Sequence, residues 1–297
     1  MTHETHKILK KNGKSFWFAS LFLPKHVAAD AATFYRFCRW MDDLADSGAT
    51  ADAVARLEKV KHDLRARSSN DPVVASVLQI DRRVPLNFEA VEHLVDALTD
   101  DASSDKQVKD EAELIRYCYG VAGTVGLAMS AILGADAEGA ALHAINLGIA
   151  MQMTNIARDV LEDARSGRRY LPADWVENLS PTQLVDDVSQ PDLVAEAVRR
   201  LLDLADVYYA HGALGFSMIP AESRTGIRVA AGVYREIGQV LLERRCEWRG
   251  ERAYVPLWQK SRIAAGVWIG SSRLERLSLA SESSNLNRAL EGLPGLR

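Results

Sequence analysis

The segment running Tyr35-Arg36-Phe37-Cys38-Arg39-Trp40-Met41-Asp42-Asp43-Leu44-Ala45-Asp46 contains the first residues whose spacing could do chemistry. On a helix, Tyr35, Arg39, Asp42 and Asp46 share one face, which sets two carboxylates one turn apart on a single stripe. Like charges at that spacing repel unless they are solvated, paired with arginine, or bound to a hard cation. Mg²⁺ is such a cation: it takes one or two carboxylates and completes its shell with phosphate and water. A second stripe, Gln152, Asn155, Asp159 and Asp163, follows strongly apolar turns. Buried amides and carboxylates need partners or a metal, and nearby Arg158 and Arg168 offer planar donors suited to phosphate oxygens.

Spacing alone does not single out these pairs. Asp96/Asp100 and Asp101/Asp105 repeat the same interval, but in a polar helix end running into a loop, so a solvated surface is expected there. Between the two stripes, Gly120, Gly123 and Gly126 recur every third residue. No strand precedes them and the spacing is not G-x-G-x-x-G, so they are no phosphate-binding fingerprint. Glycine inside a helix costs up to about 1 kcal/mol relative to alanine, which suggests close approach of another helix or of a bulky apolar ligand. The histidines show no H-x-x-x-H or E-x-x-H arrangement of the zinc or di-iron kind.

The elements that must position these residues read as helices. Apolar residues recur at helical spacing over Ala28 to Asp46, Ala51 to Ala66, Phe88 to Thr99, Glu111 to Leu133, Gly139 to Asp163, Leu193 to Gly212 and Gly226 to Cys246. Asp71-Pro72 and Pro85 fall in one connection, and Gly167 with Leu171-Pro172 in another. No Gly/Ser-rich spacer splits the 297 residues, so one domain over 1–277 is expected, followed by a polar, mobile tail over 278–297.

Composition narrows the class. The chain is 47% hydrophobic and 26% charged, as in ordinary globular proteins, and its net charge of -4 supplies no field for nucleic acid. Cys38, Cys118 and Cys246 form no C-x-x-C pair, which argues against disulfides or structural zinc and fits a reducing cytoplasm; Cys38 and Cys118 are expected in the core. The apolar window Val121 to Gly134 is shorter than the roughly 20 residues a membrane span requires. The basic run Arg244, Arg245, Arg249, Arg252, Lys260 and Arg262 reads as a solvated helix end. The amphipathic stretch Ile263 to Leu279 reads as docking on the body or touching a bilayer as a peripheral contact.

Ser15-Phe16 with Leu21-Phe22-Leu23-Pro24, the Arg39 to Asp46 stripe, Tyr117 to Gly126, and Gln152 to Pro172 follow one another as do the motifs of the squalene and phytoene synthase family. The chain resembles that family from Ser15 to about Lys260. Gly167-Arg168-Arg169-Tyr170-Leu171-Pro172 is most similar to bacterial phytoene synthases.

The resemblance implies an all-α isoprenoid-synthase bundle around a central apolar cavity. It implies that Asp42, Asp46, Asp159 and Asp163, with Asn155, hold Mg²⁺, or Mn²⁺ in its place, against the diphosphates of isoprenoid substrates. Arg39, Arg158 and Arg168 would bind phosphate, and Gln152 would lie beside the metals and the reacting carbons. Tyr35, Tyr117 and Tyr234 would line the pocket, Ser15 and Tyr170 would join the substrate-binding set, and Lys260 would close over the diphosphates. The implied reaction joins two geranylgeranyl diphosphates 1-1' through a cyclopropylcarbinyl diphosphate to phytoene, without NADPH. Squalene-type products from C15 units are the alternative. Asp42-Asp43-Leu44-Ala45-Asp46 also satisfies the D-D-x-x-D of chain elongases and terpene cyclases, but Gln152 to Asp163 fits neither of their second motifs. A non-catalytic helical scaffold of the same fold is a remoter reading, since all four candidate carboxylates are present.

Overall fold

The computed structural model describes residues 9–10, 13–46, 51–103, 106–135, 137–186, 190–270 and 286–296. Among them there is no strand, only an isolated bridge between Gln107 and Arg169. The helices are α1 (Lys14–Ser20), α2 (Lys25–Asp46), α3 (Ala51–Arg65), α4 (Pro72–Asp81), α5 (Phe88–Ser103), α6 (Glu111–Cys118), α7 (Thr124–Ile132), α8 (Ala137–Arg165), α9 (Pro181–Asp186), α10 (Pro191–Leu214), α11 (Ala221–Glu243) and α12 (Leu257–Trp268). The chain is an all-α bundle built around α8, which packs against α6, α7, α9, α10 and α11.

Helices α1, α4 and α9 were not expected. Residues 72–81 read as part of a connection, yet Asp71 accepts hydrogen bonds from the Val73 and Val74 amides at 2.7 and 3.3 Å, and Pro72 sits where its missing N–H costs nothing. Proline therefore starts a helix here rather than breaking one. α1 is only 7 residues long, too short for periodicity to reveal, and is held by Phe18 and Ala19 against the core. The stretch Glu111 to Leu133 is also not one regular helix. A π-helical turn, Tyr119–Gly123, joins α6 to α7.

The glycine repeat makes room for another helix. A Cβ on Gly126 would lie 2.2 Å from the Ala144 carbonyl oxygen, and one on Gly148 would lie 2.2 Å from that of Ala122. The backbones of α7 and α8 therefore touch, a contact that no residue with a side chain permits. Residues 286–296 correct another expectation. They lie in the stretch expected to be mobile, but Leu290 is fully buried, and the Leu286 and Pro294 carbonyls accept hydrogen bonds from the Tyr208 and Tyr119 hydroxyls, both at 2.9 Å. Leucines at 286, 290 and 293 give this otherwise polar tail an apolar edge to bury. Residues 278–285 of that stretch lie outside the described residues.

Candidate active site

α2 presents Tyr35, Arg39 and Asp42 on one side. Arg39 donates to Asp42 at 2.9 Å and to Asp43 at 2.5 Å, so the guanidinium bridges two adjacent carboxylates, one of them a member of the Asp42/Asp46 pair. All three groups are about half exposed, and pairs of that kind contribute little to stability. They are positioned where a ligand can reach them. Asp46 is the last residue of α2, and its side chain lies outside the described residues.

On α8 the second stripe forms as expected. Asn155 donates to Gln152 at 3.2 Å, and Asp159 lies one turn further on. Burial alone would raise the Asp159 carboxyl, but two guanidinium groups outweigh it and hold it below its ordinary value. Arg158 donates to its two oxygens at 2.8 and 2.5 Å, and Arg252 at 2.7 and 2.8 Å. Arg252, expected at a solvated helix end, is thereby part of the site. Its partner is 93 residues away, a distance no local pattern reveals.

Asp163 behaves in the opposite way. Burial first, then the charges of Asp159 and Glu162, push its carboxyl up to about 8, with Arg168 opposing. A group of carboxylates so crowded that one retains its proton has a deficit of positive charge. The available donors are all oxygens, which suits a hard divalent cation, and the residues therefore fit Mg²⁺. Among the described residues no three acidic, histidine or cysteine side chains form a ready cage, so phosphate and water would complete the shell.

An aromatic cluster joins the two acidic helices. The Phe16 ring of α1 lies 5.9 Å from Tyr35 of α2 and 4.8 Å from Tyr234 of α11. Burial raises both tyrosine hydroxyls. Tyr35 also feels Arg39 and Asp42, while Tyr234 feels Arg158, Asp159 and Arg252. The two charged ends thus converge on one set of rings. Gly13 admits this packing, since a Cβ there would meet the Tyr35 ring at 2.9 Å. Ser15, half-buried on α1, is next to Phe16 in this wall. Lys260 is buried on α12, and burial together with the charge of Lys14 lowers its proton affinity.

Tyr117, Arg168 and Tyr170 form a separate group by the C-terminus of α8. Gly167, at φ +79°, turns the chain there, and Arg169 anchors the next residues by donating to the Val108 and Leu171 carbonyls. Tyr117 and Tyr170 stack at 4.6 Å. The Tyr170 hydroxyl donates to both oxygens of Asp101, at 3.2 and 3.1 Å, and Arg168 approaches that carboxylate to 4.0 Å. Asp101 was expected at a solvated surface. It is instead 8% exposed, and the backbone pairing of Lys106 and Val108 with Arg169 holds Tyr170 beside it. Cys118 and Cys246 are buried and Cys38 half-buried, with burial raising each thiol. They are packing residues, as expected of Cys38 and Cys118.

With this geometry established, comparison with known proteins decides the family. The squalene/phytoene synthase model matches residues 9–259. The chain belongs to the squalene/phytoene synthase family. It is 32% identical over 240 residues to a 15-cis-phytoene synthase from a Paracoccus species, covering 77% of this chain and 78% of that protein. It is also 31% identical to a 4,4'-diapophytoene synthase from Staphylococcus haemolyticus, over 87% of this chain and 93% of the other. A dehydrosqualene synthase crystallised with a ligand superposes with a TM-score of 0.81 at 29% identity, covering 90% of this chain and 95% of that one. Family membership makes the chain a prenyltransferase-type enzyme. No helix among the described residues is long and apolar enough to cross a membrane.

Proposed function

We propose that this enzyme joins two molecules of geranylgeranyl diphosphate head to head to give phytoene, with Mg²⁺ and without a reducing cofactor. The observation that carries the reading is the convergence of Arg158, Arg252 and Asp159 with the Phe16, Tyr35 and Tyr234 rings. Ionising an allylic diphosphate requires positive charge on the leaving group and protection of the resulting cation from water. Mg²⁺, held by Asp42, Asp46, Asn155, Asp159 and Asp163, would supply part of that positive charge. Arg39, Arg158, Arg252 and Lys260 would bind phosphate oxygens, with Arg158 and Arg252 exchanging Asp159 for the substrate. Gln152 and Ser15 would orient the diphosphate-bearing ends, while Arg168, Tyr117 and Tyr170 would hold the far end of the acidic face. Ring faces attract a cation and exclude a nucleophile, which is the role of Phe16, Tyr35 and Tyr234.

The resemblance to phytoene synthases favours C20 substrate. The similarity to a diapophytoene synthase and a dehydrosqualene synthase favours C15 as the second reading. Incubating the protein with Mg²⁺ and geranylgeranyl diphosphate alone should yield a C40 hydrocarbon with a triene chromophore. C20 substrate left untouched while farnesyl diphosphate is consumed would replace this reading with the second.

A further inference from the structure

Asp101 is neither a ligand nor a donor in the reaction proposed for this site, yet it sits against two residues that take part in it, Tyr170 and Arg168. Its buried carboxylate accepts from the Tyr170 hydroxyl at 3.2 and 3.1 Å, and the Arg168 guanidinium lies 4.0 Å away. Tyr170 in turn stacks on Tyr117 at 4.6 Å. Backbone bonds fix the frame around this group. The Arg168 amide donates to the Asp163 carbonyl at 3.0 Å, and the Arg169 amide donates to the Lys106 carbonyl at 2.8 Å. With the main chain held there, what remains to be placed is the long side chain of Arg168.

A buried carboxylate is a costly way to satisfy one phenol. Asparagine or serine would accept the same hydrogen bond without taking a charge out of water. The charge is also unfavourable to its surroundings, because Asp159 and Glu162 already press on Asp163 and Asp101 adds to them. Arg168 is the cation that offsets it: the guanidinium approaches Asp101 and also opposes the negative charge around Asp163. Asp163, Arg168 and Tyr170 line a single cleft, with Ile156, Val160 and Leu184 in its apolar wall. Ordering a flexible side chain when a ligand binds weakens affinity, and an arginine already held in place avoids that loss.

We propose that Asp101 is a positioning residue of this site: its carboxylate holds Arg168 and Tyr170 at the cleft beside Asp163, so that the guanidinium is ordered before a substrate diphosphate arrives. The inference rests on the diphosphate chemistry proposed above and adds to it a residue that acts through Arg168.

The test is a double-mutant cycle on the full chain. Binding of inorganic diphosphate with Mg²⁺ is titrated by calorimetry, and KM and kcat are measured with the allylic diphosphate that the wild type consumes. Asp101→Asn keeps an oxygen for the Tyr170 hydroxyl and removes the charge. It should weaken diphosphate binding and raise KM by about tenfold, with kcat changed by less than about threefold, the pattern of a lost ground-state contact. In an Arg168→Gln background Asp101→Asn should have no further effect on diphosphate binding, whereas a residue that merely supports the fold would lower both backgrounds alike. Glu196→Gln, on the exposed side of α10, should change neither quantity. Melting is followed for each variant, and Asp101→Ser, which also offers an oxygen without the charge, replaces Asp101→Asn should that one fail to fold. Affinity unchanged by the Asp101 substitution, or equal losses in the two backgrounds, overturns the proposal and leaves the diphosphate chemistry standing. A wild type that binds no diphosphate and consumes neither C15 nor C20 substrate overturns both.

Discussion

Asp163 and Asp101 are the residues at which environment most changes the chemistry read from type alone. The folded protein without a cation keeps a proton on Asp163 that the unfolded chain has already released, between the ordinary value of 3.8 and about 8. Stability from this group is present below that window and is lost as pH rises through it. Melting of the metal-free protein should therefore fall with rising pH across that range, and Asp163→Asn should flatten the dependence. Asp159, held below its ordinary value, contributes at the opposite end and loses its contribution only in acid. A slope unchanged by Asp163→Asn would assign it to other groups. Asp101→Ala, silent if the residue were solvated, should instead cost about 1–3 kcal/mol, because it leaves the buried Tyr170 hydroxyl without its acceptor. Chemical denaturation of that variant, alone and with Tyr170→Phe, measures the pair directly: the two losses should not add.

At the level of elements, the long helices and the acidic faces of α2 and α8 were legible because their apolar and polar residues recur within a few turns. The 7-residue α1 and the proline-initiated α4 were not, since one is too short to show a period and the other begins at a residue that usually ends a helix. The same limit of range explains the site. Gln152, Asn155, Asp159 and Asp163 declare themselves by mutual spacing, while the Arg252–Asp159 and Tyr170–Asp101 bonds join segments 93 and 69 residues apart, and nothing local marks them. The glycine repeat was legible only as a choice between a helix and a ligand, and the α7–α8 contact resolves it. Gly126→Ala would gain up to about 1 kcal/mol in helix propensity. The new Cβ would sit 2.2 Å from a backbone oxygen that cannot rotate away, so the clash should win and cost about 3 kcal/mol or more. A variant melting at or above the wild type would show that α7 and α8 can slide apart at little cost.

For the whole molecule, the decisive feature is that 286–296 close the bundle from outside the catalytic helices. Leu290 is fully buried, and Gly295 lies against Ile145 and Leu127, where a Cβ would come within 2.9 Å of both. Deleting this segment should destabilise the fold by at least the loss of one buried leucine, about 2–5 kcal/mol, and melting curves should register it even though no acidic site residue is touched. A truncated chain that melts with the wild type would show that the packing contributes nothing. Tyr119 meets Pro294, 175 positions further along the sequence. During synthesis, therefore, the Tyr119 hydroxyl and the apolar seat of Leu290 emerge long before the residues that cover them. Until translation reaches that segment, the nascent bundle displays an unsealed seam, and chaperones that hold exposed apolar surface have their best opportunity there.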